Sequence, residues 1–354
     1  MSAPDRRRRM STITDVAREA GVSVATVSRA LRGLDRVSPR TRERVFKVAT
    51  ELDYVASPTA TSLASGRTQV VGVVAPFLTR WFFATLVSAI EKTLRRHGHH
   101  VLLFDLEDEA YDRRLPLSQN MLWKRVDGVI TLNLPMTEAE LELVDRLGLP
   151  LVAIGTPVAD RPNVRIDDAH AMRLATEHLV SLGHERIAYV GAVPSNVAHI
   201  QTPQARLDAF RDVMRIHGLA EHKQWILGSD WTADSAAHDT RTLLASADRP
   251  TAVAAASDEM AIGVMAAARA QGLRIPEDLS VIGIDDHALS NVLGLTTVRQ
   301  DVAAQGREAA EILLRALGVD TPGGTATEVV VDTELVVRRS TAAPVRTHAA
   351  PYTG

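Results

Sequence analysis

The chain reads as an all-α head of three short helices followed by an α/β core of two doubly wound parallel-sheet lobes. Three observations carry that reading. A cap–turn–cap series runs from Thr12 to Leu52. After Gly66 short apolar runs alternate with helix-length amphipathic stretches, the texture of βαβ units. That alternation then repeats, which predicts two lobes with a cleft beyond the carboxyl ends of their strands.

In the head, Thr12 is placed to cap a first helix, with Asp15 reaching back to it and Val16, Ala17 and Ala20 on one face. Gly21 ends that helix. Ser23 can cap a second, whose buried side carries Val27 and Leu31 and whose outer side carries Val24, Ala25, Ser28, Arg29 and Arg32. Ser38 and Pro39 open a third, with Val45, Val48, Ala49 and Leu52 as its buried stripe. Two short helices hinged at a glycine and followed by a third form a helix-turn-helix, which predicts DNA as partner.

In the core, the spacing predicts first-series strands near Val70 to Ala75, His100 to Phe104, Gly128 to Leu132 and Leu151 to Ile154. Helices are expected near Phe83 to Arg96, Leu117 to Arg125 and Glu138 to Leu147. The second series has strands near Ile187 to Val190, Trp225 to Leu227, Ala252 to Ala255 and Ser280 to Ile284. Its helices fall near Ala169 to Leu182, Gln204 to His217, Ala233 to Ala245 and Glu259 to Gln271. A strand near Leu295, a helix from Val302 to Leu317 and one last strand from Glu328 to Val337 complete the pattern.

Composition limits the chemistry. The 354 residues are 45% hydrophobic and 23% charged, enough for two or three packed domains. Cysteine is absent, so disulfides, thiolate metal sites and cysteine nucleophiles are excluded. No apolar run approaches the roughly 20 residues that span a bilayer, and no signal-peptide stretch follows the first arginines, so a cytoplasmic location is expected. The net charge of −3 hides an asymmetry: 12 Lys and Arg face 7 Asp and Glu from Met1 to Gly66, against 28 and 36 in the remainder. Phosphate attraction therefore falls on the head. Arg6 to Arg9 read either as a solvated tail or as an arm that touches DNA.

The segments TITDVAREAGVSVATVSRAL, VSPRTRERV and LDYVASPTATSLASGRT resemble the DNA-binding head of the lactose-repressor (LacI/GalR) family of bacterial transcription regulators. The core resembles that family's effector-binding core, itself similar to periplasmic sugar-binding proteins. The resemblance implies a recognition helix with Val24, Ala25 and Arg29 at base edges and Ser23, Thr26 and Ser28 at phosphates. Arg32 departs from the family's usual asparagine. The stretch SPTATSLASG, too short to be a stable helix alone, corresponds to the family's hinge helix, in which Ala60 and Leu63 face the minor groove and Leu63 wedges between base pairs.

The same resemblance implies an effector site of Phe77, Arg80, Trp81, Phe82, Arg206, Trp231, Ser257 and Asp285. Phe77, Arg80, Gly155 and Ser257 depart from residues common among relatives, which sets this pocket apart from a standard monosaccharide site. Aromatic faces with Arg and Asp hydrogen-bonders suit a sugar, while Arg80 and Arg206 would equally suit a phosphate or carboxylate. The implied domains are an arm (1–11), the helix-turn-helix (12–56), a hinge helix (57–67), a core (68–340) and a disordered tail (341–354). Within the core, lobe 1 spans about 68–165 and 299–325, lobe 2 about 166–298 and 326–340, with crossings near Arg165, Val298 and Ala326.

Other signals carry less. The HGHH stretch from His97 reads as a surface turn, and the neighbours Asp167–Asp168 and Asp285–Asp286 point apart rather than forming a hydrolase pair. With no GxxxxGK, GxSxG or HExxH motif, neither an enzyme nor a cofactor is expected. The expectation is a homodimeric regulator, a repressor by family habit, on a near-palindromic operator with a sugar or sugar derivative as effector. A transport-type sugar receptor would share the core but has no use for the basic head, and a sugar-processing enzyme lacks its constellation.

Overall fold

The computed structural model describes residues 11–31, 35–54, 66–76, 78–106, 115–192, 201–321, 324 and 327–345. The arm, most of the expected hinge helix, Arg32, Phe77 and the end of the tail lie outside the described residues. Two units divide the chain at Thr68.

The head consists of α1 (Ile13–Ala20), α2 (Val24–Leu31) and α3 (Pro39–Glu51). Thr12 and Asp15 form a reciprocal capping box, and Gly21 ends α1 at φ 63°, a left-handed conformation that glycine adopts without penalty. Ser23 Oγ accepts from the Thr26 N–H at 3.1 Å, and Ser38 caps α3 with Pro39 in its first turn. Val16, Val27 and Val45 are fully buried at the centre of the three-helix seam. Each valine contributes about 1.5–3 kcal/mol of burial, so these three dominate the head's small core. Leu31 and Leu52 are only half-buried, because Ala30 and Ala49 sit deeper in the seam.

In the core, lobe 1 is a sheet ordered β11-β5-β4-β3-β1-β2, all parallel. Its strands are β1 (Val70–Ala75), β2 (His100–Asp105), β3 (Gly128–Leu132), β4 (Leu151–Ile154), β5 (Asn163–Arg165) and β11 (Glu328–Val330). Lobe 2 repeats the order as β12-β10-β9-β8-β6-β7, antiparallel only at the β10–β12 edge. It comprises β6 (Ile187–Gly191), β7 (Ile226–Gly228), β8 (Ala252–Ala255), β9 (Ser280–Asp285), β10 (Thr296–Gln300) and β12 (Thr333–Val336). The near-continuous Val, Ile and Ala runs of β3, β4, β6, β8 and β9 are buried throughout, as strands covered on both faces must be.

The covering helices are α4 (Trp81–Arg96), α5 (Gln119–Leu122) and α6 (Glu138–Arg146) in lobe 1. Lobe 2 carries α7 (Asp168–Ser181), α8 (Thr202–Ile216), α9 (Ala233–Ala245), α10 (Asp258–Ala270) and the short α11 (Ser290–Leu293). The last helix, α12 (Val302–Ala316), returns to lobe 1, where Gly306 lets it approach Leu86 and Ala89 of α4. No helix of the described residues is long and apolar enough to cross a membrane.

Several elements differ from the sequence reading. The last strand splits in two: β11 still pairs with β5 of lobe 1, and β12 pairs with β10 of lobe 2. The third crossing therefore falls at Val331–Asp332 rather than near Ala326, itself outside the described residues. Asp332 and Thr333 interrupt the two short apolar stretches at the break. Likewise β10 stays in lobe 2 to Gln300, so the second crossing follows Gln300 instead of Val298. The expected helix from Leu117 to Arg125 shrinks to α5, because Lys124 takes a left-handed φ of 55° while Leu122 and Val126 anchor the turn in the core. β5 is too short to show a period, and Trp225 lies in a buried single turn ahead of β7.

The tail departs too. Residues 341–345 are described, and the first two are docked. His184 Nε2 bonds the Ala342 carbonyl at 2.8 Å, and His178 Nε2 meets Thr341 Oγ1 at 2.9 Å. The Ala342 N–H donates to Ser280 Oγ at 3.1 Å.

Candidate functional site

On the head, α2 carries the solvent-facing surface. Ser23, Val24, Ala25 and Arg29 are exposed, while Thr26 and Ser28 are half-buried. The hydroxyls of Ser23 and Thr26 are 2.9 Å apart and already shared in the helix cap. Val24 is 42% exposed. Arg32, Ala60 and Leu63 lie outside the described residues.

In the core, the carboxyl ends of both sheets face one cleft, about 910 Å³ with open solvent included. Of the expected residues, Arg80, Trp81, Phe82, Arg206, Trp231, Ser257 and Asp285 all line it, and Phe77 lies outside the described residues. The first lobe contributes an aromatic wall. Arg80 is the extended residue before α4, so Trp81 and Phe82 open that helix directly at the cleft, two residues earlier than the sequence pattern suggests. Phe82 packs edge-on to Phe83, with ring centroids 5.3 Å apart.

The second lobe contributes a floor of buried charge. Arg206, on α8, is 4% exposed. Its Nε donates to Asp168 Oδ1 at 2.8 Å, its Nη1 donates to the Ala256 carbonyl, and its guanidinium lies 5.8 Å from the Trp231 ring centroid. Thr202 Oγ1 donates to the other Asp168 oxygen at 2.8 Å. Burial disfavours the Arg206 charge, but Asp168 and Asp285 beside it raise its pKa above the ordinary value.

Asp285 ends β9 and is itself buried. Gln300 Nε2 donates to its Oδ1 at 2.6 Å, and Gln305 Nε2 donates in turn to Gln300 Oε1 at 2.9 Å. Burial first, and the neighbouring Asp258 second, push its carboxyl up to about 8, so it can meet a ligand as a protonated donor near neutral pH. Asp258 organises the following loop by accepting from the His287 N–H, Ser290 Oγ and Thr297 Oγ1, at 2.9, 2.6 and 2.7 Å.

The paired acids diverge. Asp286 is turned away from Asp285 into a clamp of Arg299 and Arg338, at 2.7 and 2.6 Å; burial would raise its pKa, but these donors hold it below the carboxylate range. Asp167 caps α7, while its neighbour Asp168 faces the cleft.

Backbone strain concentrates here. Asn133, Trp231, Asp285 and Asp286 have φ of 46°, 72°, 136° and 58°, conformations that L residues adopt only where the surroundings impose them. At Gly155 a Cβ would meet Asn133 Oδ1 at 2.9 Å, so an amide occupies the space that an acidic side chain would need. Ser257 lines the cleft but spends its hydroxyl on capping α10 through the Met260 N–H.

Sequence reasoning missed Asn133, Asp168, Glu259, Gln300 and Gln305 as lining residues. Asp168 was visible as half of an acid pair at a strand end. The glutamines come together only because the chain crosses between lobes right after Gln300.

The comparisons agree with this arrangement. The pattern described as "Bacterial regulatory proteins, lacI family" matches residues 12–57, and that of the "Periplasmic binding protein-like domain" matches residues 176–341. Catabolite control protein A of Priestia megaterium is 34% identical over 315 residues, covering 88% of this chain and 93% of its own. Among solved structures, the Lac repressor dimer bound to operator and the anti-inducer ONPF superposes with a TM-score of 0.78 at 29% identity, covering 95% of this chain and 100% of its own. The complex of the transcriptional regulator CelR with cellobiose has a TM-score of 0.65 at 32% identity, covering 93% and 99%. A helix-turn-helix head, a two-lobed core with a cleft between its sheets, and relatives matched over nearly the whole chain place it: the protein belongs to the lacI family of bacterial regulatory proteins.

Proposed function

We propose that this regulator is a cytoplasmic homodimeric repressor whose operator affinity is set by an uncharged carbohydrate bound between its lobes. The observation that carries the effector class is the pairing of charge in the cleft. Arg206 is bound to Asp168, Arg165, also in the lining, is bound to Glu328 at 2.7 Å, and Arg80 there acts electrostatically on Asp230. An anionic ligand would have to displace one of these carboxylates. A pyranose, by contrast, offers C–H faces to Trp81, Phe82 and Trp231 and hydroxyls to Arg206, Asp285 and Asn133. The cellobiose held by CelR is in keeping with that chemistry.

In this reading Val24, Ala25 and Arg29 meet base edges, Ser23, Thr26, Ser28 and Arg32 meet phosphates, and Ala60 and Leu63 act in the hinge segment at 57–67. Arg29 paired with a guanine would supply about 1–3 kcal/mol of base discrimination. The hinge is the switch, because a helix of about two turns forms only when another surface packs on it.

The test is operator binding by the purified full-length protein at fixed salt, with DNA flanking its own gene and a panel of neutral sugars and sugar phosphates. A neutral sugar that shifts operator affinity about tenfold or more, equivalent to about 1.4 kcal/mol of coupling, is the expected result. A response only to phosphorylated sugars would overturn the charge argument, and the absence of specific DNA binding would overturn the regulator reading.

A further inference from the structure

The N-terminus of α4 is capped from the opposite lobe. Arg80, its N-cap, supplies no side-chain cap bond, and the first N–H groups of any helix need an acceptor from elsewhere. The Trp81 N–H finds one in Glu259 Oε1 at 3.2 Å, a carboxylate 178 residues away in the first turn of α10. A negative group is favoured at that helix end.

The Trp81 ring meets a second lobe 2 residue, His287, with centroids 4.8 Å apart and planes tilted by 50°. Arg80 acts electrostatically on Asp230, beyond the end of β7 in lobe 2. Thus two consecutive residues of lobe 1 reach three separate segments of lobe 2, all at the cleft.

We infer that Arg80 and Trp81 form a latch across the effector cleft, capped by Glu259, that holds the two lobes together before any ligand binds. Separating the lobes would uncap α4, strip His287 from the indole and part Arg80 from Asp230. The three chain crossings would then hinge freely. Because Trp81 and Glu259 also line the cleft, an entering effector competes with the latch for the same groups. This inference does not depend on the effector being a carbohydrate.

Trp81→Pro is the direct probe, since proline suits the first position of a helix while removing both the N–H and the ring. Hydrogen exchange of the ligand-free full-length protein would be compared with wild type by mass spectrometry. The latch predicts exchange faster by roughly threefold or more in cleft segments remote from the substitution, at residues 131–134 and 201–206, with β1 and β8 unchanged. Glu259→Ala should reproduce the effect, and Glu259→Gln, which keeps an acceptor oxygen, should restore most of the protection. Changes confined to residues 80–86 in Trp81→Pro, or equal behaviour of the two Glu259 variants, would reduce these contacts to a local cap and overturn the latch. Should Trp81→Pro fail to fold, the Glu259 pair decides alone.

Discussion

Lobe 1 and lobe 2 share one strand order but present opposite chemistry to the cleft they enclose. Lobe 1 offers Pro76, Trp81, Phe82 and Phe83, all from the one stretch that runs from the end of β1 into the first turn of α4. Lobe 2 offers Arg206, Asp168, Ser257 and Asp285 from four different elements, held by hydrogen bonds to one another, to the backbone or, for Asp285, to Gln300. The contrast teaches that the apolar wall can vary in shape without endangering the fold, whereas the charged floor is also part of how lobe 2 stays folded.

Breaking the floor should have the largest effect. Arg206→Ala leaves Asp168 and the Ala256 carbonyl without their buried partner, and the expected loss is about 3–5 kcal/mol in urea unfolding. A loss below about 1 kcal/mol would mean that the floor serves ligands alone.

Next comes Asp285, whose carboxyl is raised to about 8 in the fold. Between about pH 4 and 8 the folded state keeps a proton that the unfolded state has released, so this group's contribution to stability falls as pH rises. Asp285→Asn should therefore gain on wild type steadily as pH rises toward 8, with the difference vanishing near pH 4. Thermal unfolding of both proteins across that range checks the sign; a gain largest at pH 4 would contradict it.

The aromatic side should behave differently. Phe82→Ala should weaken effector binding about tenfold, near 1.4 kcal/mol, while unfolding free energy changes by less than about 1 kcal/mol. Calorimetry and urea unfolding on one preparation separate the two readouts.

The smallest effect lies at the docked tail. Burial lowers the pKa of His184 and of His178, so stability present above about pH 6.5 is lost as pH falls further. A lower protection factor at Thr341 and Ala342 at pH 5.5 than at pH 7.5, after correction for the intrinsic pH dependence of exchange, is the expected outcome.

Legibility in the sequence follows the same division. The head could be read almost residue by residue, because caps, a left-handed glycine and a 3.6-residue stripe are local signals that the structure uses as written: Thr12 with Asp15, Gly21, Ser38 with Pro39. The aromatic wall was equally visible as one run after a strand. The floor was not, since Asp168 and Arg206 are 38 residues apart in the chain and Gln300 meets Asp285 across 15 residues at the end of a neighbouring strand, where no local pattern marks the pairing. Arg206, Asp285, Trp231 and Ser257 were reached through resemblance to a family rather than through pattern. No periodicity announces that Glu259 caps a helix in the other lobe.

The account as a whole rests on coupling between the cleft and the DNA-binding head. The most direct test is the affinity of a cleft-binding sugar, measured by calorimetry on the full-length protein with and without saturating operator DNA at constant salt. Linkage requires operator to change sugar affinity by the same factor by which the sugar changes operator affinity. The account predicts a change of about tenfold or more; a sugar affinity indifferent to operator would show that the cleft and the head work independently and would contradict it.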